Sequence, residues 1–192
     1  MVVQERLTRT NTLAGYLDDF QLIGREKEKS DIAELIEEQA STQESQVIAV
    51  WGMGGLGKTT LIKDVYQRQG VSNTFGKHAF VTVLRPFKLE ELLRSLVLQL
   101  VVREDALDFA GDTQKNIGLM GVADLIEVLG RRSEGKRCLI VLDDLSAMVE
   151  WDKISPSLHE IKNLVIVITT RREDIAKHCC QKPKCIRLAQ RS

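Results

Sequence analysis

Apolar residues follow two different periods along this chain. Short runs, apolar on both faces, occur at Gln46–Trp51 and at residues 78–84, 137–142 and 163–169, with a shorter one at 184–188. Runs of that length and make-up are what a fully buried strand requires. Between them the spacing becomes helical. Ile32, Leu35 and Ile36 share one face of residues 25–40, and charges occupy the rest. Residues 58 to about 69 read as a second helix, with Gly70 as its stop, and Leu89–Val102 as an amphipathic third. Val122, Leu125, Ile126 and Leu129 mark another helix over residues 119–131. Residues 105–115 are polar and acidic and read as a loop. Pro86 ends the second strand run.

Strands that alternate with helices predict an α/β fold: a five-stranded parallel sheet flanked by helices on both faces, in three layers. Residues 1–20 are a polar lead-in, and residues 21–192 form the domain. No repeat or low-complexity segment interrupts it.

The most informative segment joins the first strand to the helix after it. Residues 52–59 read GMGGLGKT, a full match to the pattern G-x-x-x-x-G-K-[ST]. The glycines Gly52, Gly54, Gly55 and Gly57, with Leu56 between them, let backbone amides approach an anion closely. The helix that begins there adds its free N–H groups and its dipole. Lys58 is placed to reach the β- and γ-phosphates, and the Thr59 hydroxyl to ligate Mg²⁺. The segment therefore predicts a site for a purine nucleoside di- or triphosphate.

Composition narrows the setting. Hydrophobic residues make up 43% and charged residues 28%, an ordinary globular balance for 192 residues. Lys plus Arg equals Asp plus Glu at 27 each, which gives no long-range pull toward nucleic acid or an anionic membrane. The same zero balance gives little repulsion between copies, which favours self-association. The start of the chain lacks the apolar core of a signal peptide, and no apolar stretch is long enough to span a bilayer. The four cysteines are Cys138, Cys179, Cys180 and Cys185. With His178, the last three are metal-ligand types, but they lack a C-x-x-C pair. A helix end running into a strand, in a reducing cytosol, is the simpler reading.

Two strand ends add chemistry to the loop. Asp143 follows the run CLIVL and is placed to serve Mg²⁺, a hard cation that prefers oxygen. Asp144, next to it, faces the γ-phosphate side, where a carboxylate orients or deprotonates a water. The fourth strand ends in Thr169, Thr170 and Arg171, and its guanidinium is placed to sense a γ-phosphate. Arg85, after the second strand, is a weaker candidate of the same kind, and a solvated arginine is the alternative there.

Four segments in this order resemble the NB-ARC family, the nucleotide-binding domain of plant intracellular immune receptors (the NLR, or NBS-LRR, class of disease-resistance proteins). Residues 23–26 (IGRE) look like its hydrophobic-hydrophobic-Gly-Arg-Glu motif. Residues 50–61 are close to its phosphate-loop consensus, residues 139–144 are similar to its Walker B motif, and residues 168–171 (ITTR) resemble its sensor motif. The match runs from about Leu22 to Leu188.

The resemblance implies an additional-strand ATPase of the AAA-like STAND class, with the sensor strand between the phosphate-loop and Walker B strands. It implies a cytoplasmic ADP/ATP switch with slow Mg²⁺-dependent hydrolysis, and the receptor's other domains as partners. Ile23 and Arg25 would lie near adenine and ribose. Lys58, Thr59 and Thr60 would contact phosphates. Asp143 would serve Mg²⁺, while Lys58, Asp144 and Arg171 would act on the γ-phosphate.

The sequence departs from the family pattern at Leu145 and Ser146, where Val-Trp is usual, and at residues 84–87, where Ser-Gln-x-Phe is usual. The chain stops at Ser192, before the family's helical and winged-helix domains. It is thus expected to be a receptor fragment that binds nucleotide but lacks the parts that convert binding into closure. A scaffold that holds ADP without turnover is the rival reading. A small-molecule kinase is a third, and no arginine-rich lid supports it.

Overall fold

The computed structural model of the chain describes residues 25–42, 44–102, 112–159, 161–180 and 184–189. The lead-in, Ile23 and most of the expected acidic loop lie outside these residues.

Helix α1 (Glu26–Ala40) opens the described fold, followed by β1 (Gln46–Trp51), α2 (Lys58–Gln67), α3 (Gln69–Thr74) and β2 (Lys77–Thr82). Next come α4 (Leu89–Val102), α5 (Asp112–Leu119), α6 (Val122–Ser133) and β3 (Cys138–Leu145). The chain then continues through α7 (Met148–Leu158), β4 (Leu164–Thr170), α8 (Glu173–Cys179) and β5 (Cys185–Arg187).

The five strands form one sheet in the order β2-β3-β4-β1-β5. Every pairing is parallel. As the resemblance implied, β4 lies between β1 and β3. The alternation of side chains along each strand divides the core in two. Leu164, Ile166 and Ile168 of β4, with Cys138, Ile140 and Leu142 of β3, meet α4, α6, α7 and α8 on one face. Val165 and Val167, with Leu139 and Val141, meet α1, α2 and α3 on the other. As far as Leu142 and Ile168 these strands are apolar, because both faces are covered.

α1 is further tied to α2 by the buried Lys29, whose Nζ lies 2.8 Å from Asp64 and 3.0 Å from Glu26. The hydrogen bond to Asp64 holds the Lys29 ammonium above its ordinary pKa, outweighing its burial.

Three elements differ from expectation. α2 ends at Gln67, because Arg68 turns extended, and Gly70 sits inside a separate short α3 held by buried Val71 and Phe75. Residues 112–115, read as loop, open α5. Its sequence DTQKNIGL shows no apolar period, and buried Ile117 anchors it. β3 does not stop at Leu142 but carries both aspartates to Leu145.

Candidate functional site

The carboxyl ends of the strands gather the expected residues at one edge of the sheet, where ligands of open α/β folds bind. The loop from β1 to α2 turns through Gly55 (φ 80°) and Gly57 (φ 77°), left-handed angles that favour glycine. A Cβ at Gly55 would meet nothing within 4 Å, so the loop's outer side is open. A Cβ at Gly52 would lie only 2.5 Å from the Leu188 carbonyl oxygen. The loop's first residue is thus wedged against the end of β5.

Lys58 is buried, and its Nζ donates to the Gly52 carbonyl at 2.7 Å and to the Met53 carbonyl at 2.8 Å. The ammonium has three protons, so one remains beyond those two bonds. Burial lowers the Lys58 pKa, and the nearby Arg171 charge lowers it further, against the pull of Asp144 and Asp143. A cation held this way gains from an added anion.

Thr59 and Thr60 follow in the first turn of α2, both half-buried. The Thr59 hydroxyl donates to Asp143 at 2.9 Å (Oδ1) and 3.1 Å (Oδ2). A hydroxyl and a carboxylate side by side at the foot of an open anion cradle form a hard-oxygen pair that fits Mg²⁺.

Two residues in succession on a regular strand point to opposite faces. Here the register slips: Leu142 pairs with Ile168 but Leu145 with Thr170, so β3 carries one extra residue. Asp144 absorbs it at φ 62°, a left-handed angle that aspartate tolerates better than most. Asp143 stays buried against α2, and Asp144 is re-aimed toward Arg171, whose Nε lies 3.3 Å from its Oδ1.

Sequence reasoning missed Thr169 as a site residue. Its buried hydroxyl donates to Asp143 Oδ1 at 2.7 Å and accepts the Asp144 N–H at 2.9 Å. One side chain thereby fixes both aspartates. The available signal was a polar residue ending an otherwise apolar strand. Arg85, only a weak candidate, also reaches Asp144. Glu150 caps α7, accepting the Ser146 and Ala147 N–H groups at 2.8 and 3.1 Å.

Arg171 extends toward the loop, so that a Cβ at Gly54 would be 3.8 Å from its Nη1. Lys58, Thr59, Asp143, Asp144 and Arg171 therefore form one connected constellation. Leu56 is half-buried and packs in the same cluster as Leu188. Arg25 lies on the loop's other flank. It is buried, with its Nη2 donating to the Ala189 carbonyl at 3.1 Å.

Among the described residues no three metal-ligating side chains gather, and all four cysteines are free thiols. Cys179 and Cys180 are buried at the junction of α8 with the sheet edge. Burial pushes the Cys179 thiol up to about 12 and raises Cys180 as well.

The central β4 between the loop strand and the acidic strand, with this loop opening α2, defines the fold of a three-layer P-loop NTPase. Among solved structures, the Aeropyrum pernix ORC1 protein in complex with DNA has the same fold, with a TM-score of 0.60 over 92% of this chain and 48% of that one, at 16% identity. The NB-ARC domain family matches residues 26–190, and the chain belongs to that family. "Putative disease resistance protein At1g58400" of Arabidopsis thaliana is 32% identical over 193 residues, covering 97% of this chain and 20% of the relative. Disease resistance RPP13-like protein 4 of the same plant is 31% identical over 166 residues, covering 83% of this chain and 17% of the relative. The chain thus spans about a fifth of the length of these relatives.

Proposed function

We propose that this domain is the adenine-nucleotide switch of a plant immune receptor, binding ADP or ATP with Mg²⁺ and hydrolysing ATP slowly. One observation carries the reading: the Thr59–Asp143 pair and the Asp144–Arg171 pair converge beside an open glycine loop whose lysine donates to the loop's own carbonyls at Gly52 and Met53. Lys58 would exchange those carbonyls for phosphate oxygens. The loop amides from Gly52 to Gly57, with Thr60, would hold the phosphates. Thr59 and Asp143 would hold Mg²⁺, which when bound neutralises phosphate charge. Asp144 would orient the attacking water, and Arg171 would bind the γ-phosphate. Ile23 and Arg25 would border adenine and ribose.

Identifying the nucleotide released on denaturation tests this reading. ADP or ATP supports it, and a guanine nucleotide overturns it.

The scaffold reading has a specific observation behind it. Both Asp144 oxygens already face arginines, Arg171 on Oδ1 and Arg85 on Oδ2. Phosphate release in a single turnover distinguishes the two. If Asp144→Ala releases phosphate as fast as the native chain, Asp144 has no catalytic role.

Exposed Met53 and Leu84 border the site, and this supports its cover by other domains of the same receptor or by self-association. No helix among the described residues is long and apolar enough to cross a membrane. A cytoplasmic location is part of the proposal.

A further inference from the structure

Arg85 emerges from the end of β2, and its guanidinium is fixed at several points. Its Nε donates to the Ser146 hydroxyl at 3.0 Å, and its Nη2 donates to the Asp144 carbonyl at 3.2 Å. The same Nη2 lies 3.6 Å from Asp144 Oδ2. Arg171 approaches the other carboxylate oxygen through its Nε, at 3.3 Å. Asp144 is therefore bracketed by two guanidiniums, one for each oxygen. All three side chains line a single cavity of about 140 Å³ with Ser146, Thr170 and Arg172.

The two arginines are not equivalent. Arg85, 51% exposed, is tied to backbone, hydroxyl and carboxylate together, whereas Arg171, 65% exposed, meets Asp144 through its Nε and extends over the phosphate loop. Arg171 is thus the one free to turn toward an incoming phosphate. When it does, Asp144, only 29% exposed, loses a cation just as a new negative charge arrives beside it. A half-buried carboxylate left without a partner there opposes that charge.

We infer that Arg85 is a positioning residue that holds and neutralises Asp144 while Arg171 leaves for the γ-phosphate, and so sets the preference for ATP over ADP. The inference rests on the nucleotide-binding reading above and assigns it a further determinant. ADP makes no demand on Arg171, so Arg85 should be silent toward ADP.

The experiment measures ATP and ADP affinities by displacement of a fluorescent ADP analogue, in the presence of Mg²⁺. The proteins are the native chain, Arg85→Gln, Arg85→Lys, Asp144→Asn and the double variant Arg85→Gln/Asp144→Asn. Arg85→Gln should weaken ATP about fivefold relative to ADP, the upper range for a partly exposed ion pair. ADP affinity should hold, and Arg85→Lys should restore part of the loss. In the Asp144→Asn background, Arg85→Gln should change nothing further. An unchanged ATP-to-ADP ratio in Arg85→Gln overturns the inference. So does a loss of the same size in the Asp144→Asn background, which would mean direct contact with phosphate. An equal loss of both nucleotides in Arg85→Gln and Arg85→Lys makes Arg85 a structural residue and also overturns it. If the native chain binds neither nucleotide, the underlying reading fails and the inference falls with it.

Discussion

Thr169 contributes one hydroxyl, and two aspartates depend on it. It donates to the buried Asp143 carboxylate and accepts the Asp144 N–H. Thr169→Val keeps the shape and removes both bonds. Asp143 then keeps its Thr59 bonds but loses the one from Thr169, and the Asp144 amide loses its acceptor. Leaving such groups unmet costs about 1–3 kcal/mol. Nucleotide affinity in Mg²⁺ should fall about tenfold, while affinity in EDTA should hold. Thr169→Ser should restore the native values, and an equal loss in EDTA would show that Thr169 does not act through a metal held at Asp143. At this scale the sequence was uneven. Lys58 and Thr59 were legible because their chemistry follows directly on the glycines. Asp143 was legible because it ends an apolar run. Thr169 and Arg85 act across the sheet, on a residue of another strand. Nothing local to either one announces that partner.

Elements were legible where burial imposes a period. The apolar runs of β1, β3 and β4 mark themselves, since both of their faces are covered. The bulge in β3 was not legible, because a one-residue slip depends on pairing with β4. The contact between the phosphate loop and β5 was equally hidden. In the sequence Gly52 reads as close approach of the backbone to an anion, yet its lack of a side chain is needed for the Leu188 carbonyl, 2.5 Å from where a Cβ would stand. Gly52→Ala should force β5 away from β1 and destabilise the fold by about 1–3 kcal/mol. A urea midpoint equal to the native value would refute that. The same edge carries Cys179 and Cys180. Burial raises Cys179 from an ordinary 9.0 to about 12, so the folded state keeps its proton after the unfolded chain has lost it. Its contribution is complete below pH 9 and disappears as pH rises through about 12. Stability should therefore fall between those values, and less steeply in Cys179→Ala. Parallel urea midpoints of the two proteins at pH 8, 9.5 and 11 would remove Cys179 as a cause.

The whole molecule concentrates its chemistry on one edge while its stability is spread through two apolar layers. Every strand end contributes there: the glycine loop after β1, Arg85 after β2, the aspartates on β3, Thr169 to Arg171 on β4, and Leu188 after β5. A nucleotide seated on that edge would cross-link all five strands rather than one loop, so binding should register as global stability. A ligand at one hundred times its dissociation constant stabilises the native state by about 2.7 kcal/mol. For a domain of this size that corresponds to a rise of roughly 5–10 °C in Tm. ADP with Mg²⁺ should give this rise in the native chain, and ATP a similar one. Lys58→Ala should lose the response to both nucleotides, because on the proposed reading the lysine would reach a phosphate they share. Arg171→Ala should keep the full response to ADP and lose part of that to ATP, because only ATP offers a γ-phosphate to its guanidinium. The pattern across the two variants is more diagnostic than either shift alone. A Lys58→Ala protein that still warms with ADP would mean the loop is not where the phosphates sit. An Arg171→Ala protein that loses ADP and ATP responses equally would mean that this arginine supports the fold of the edge rather than reading the third phosphate.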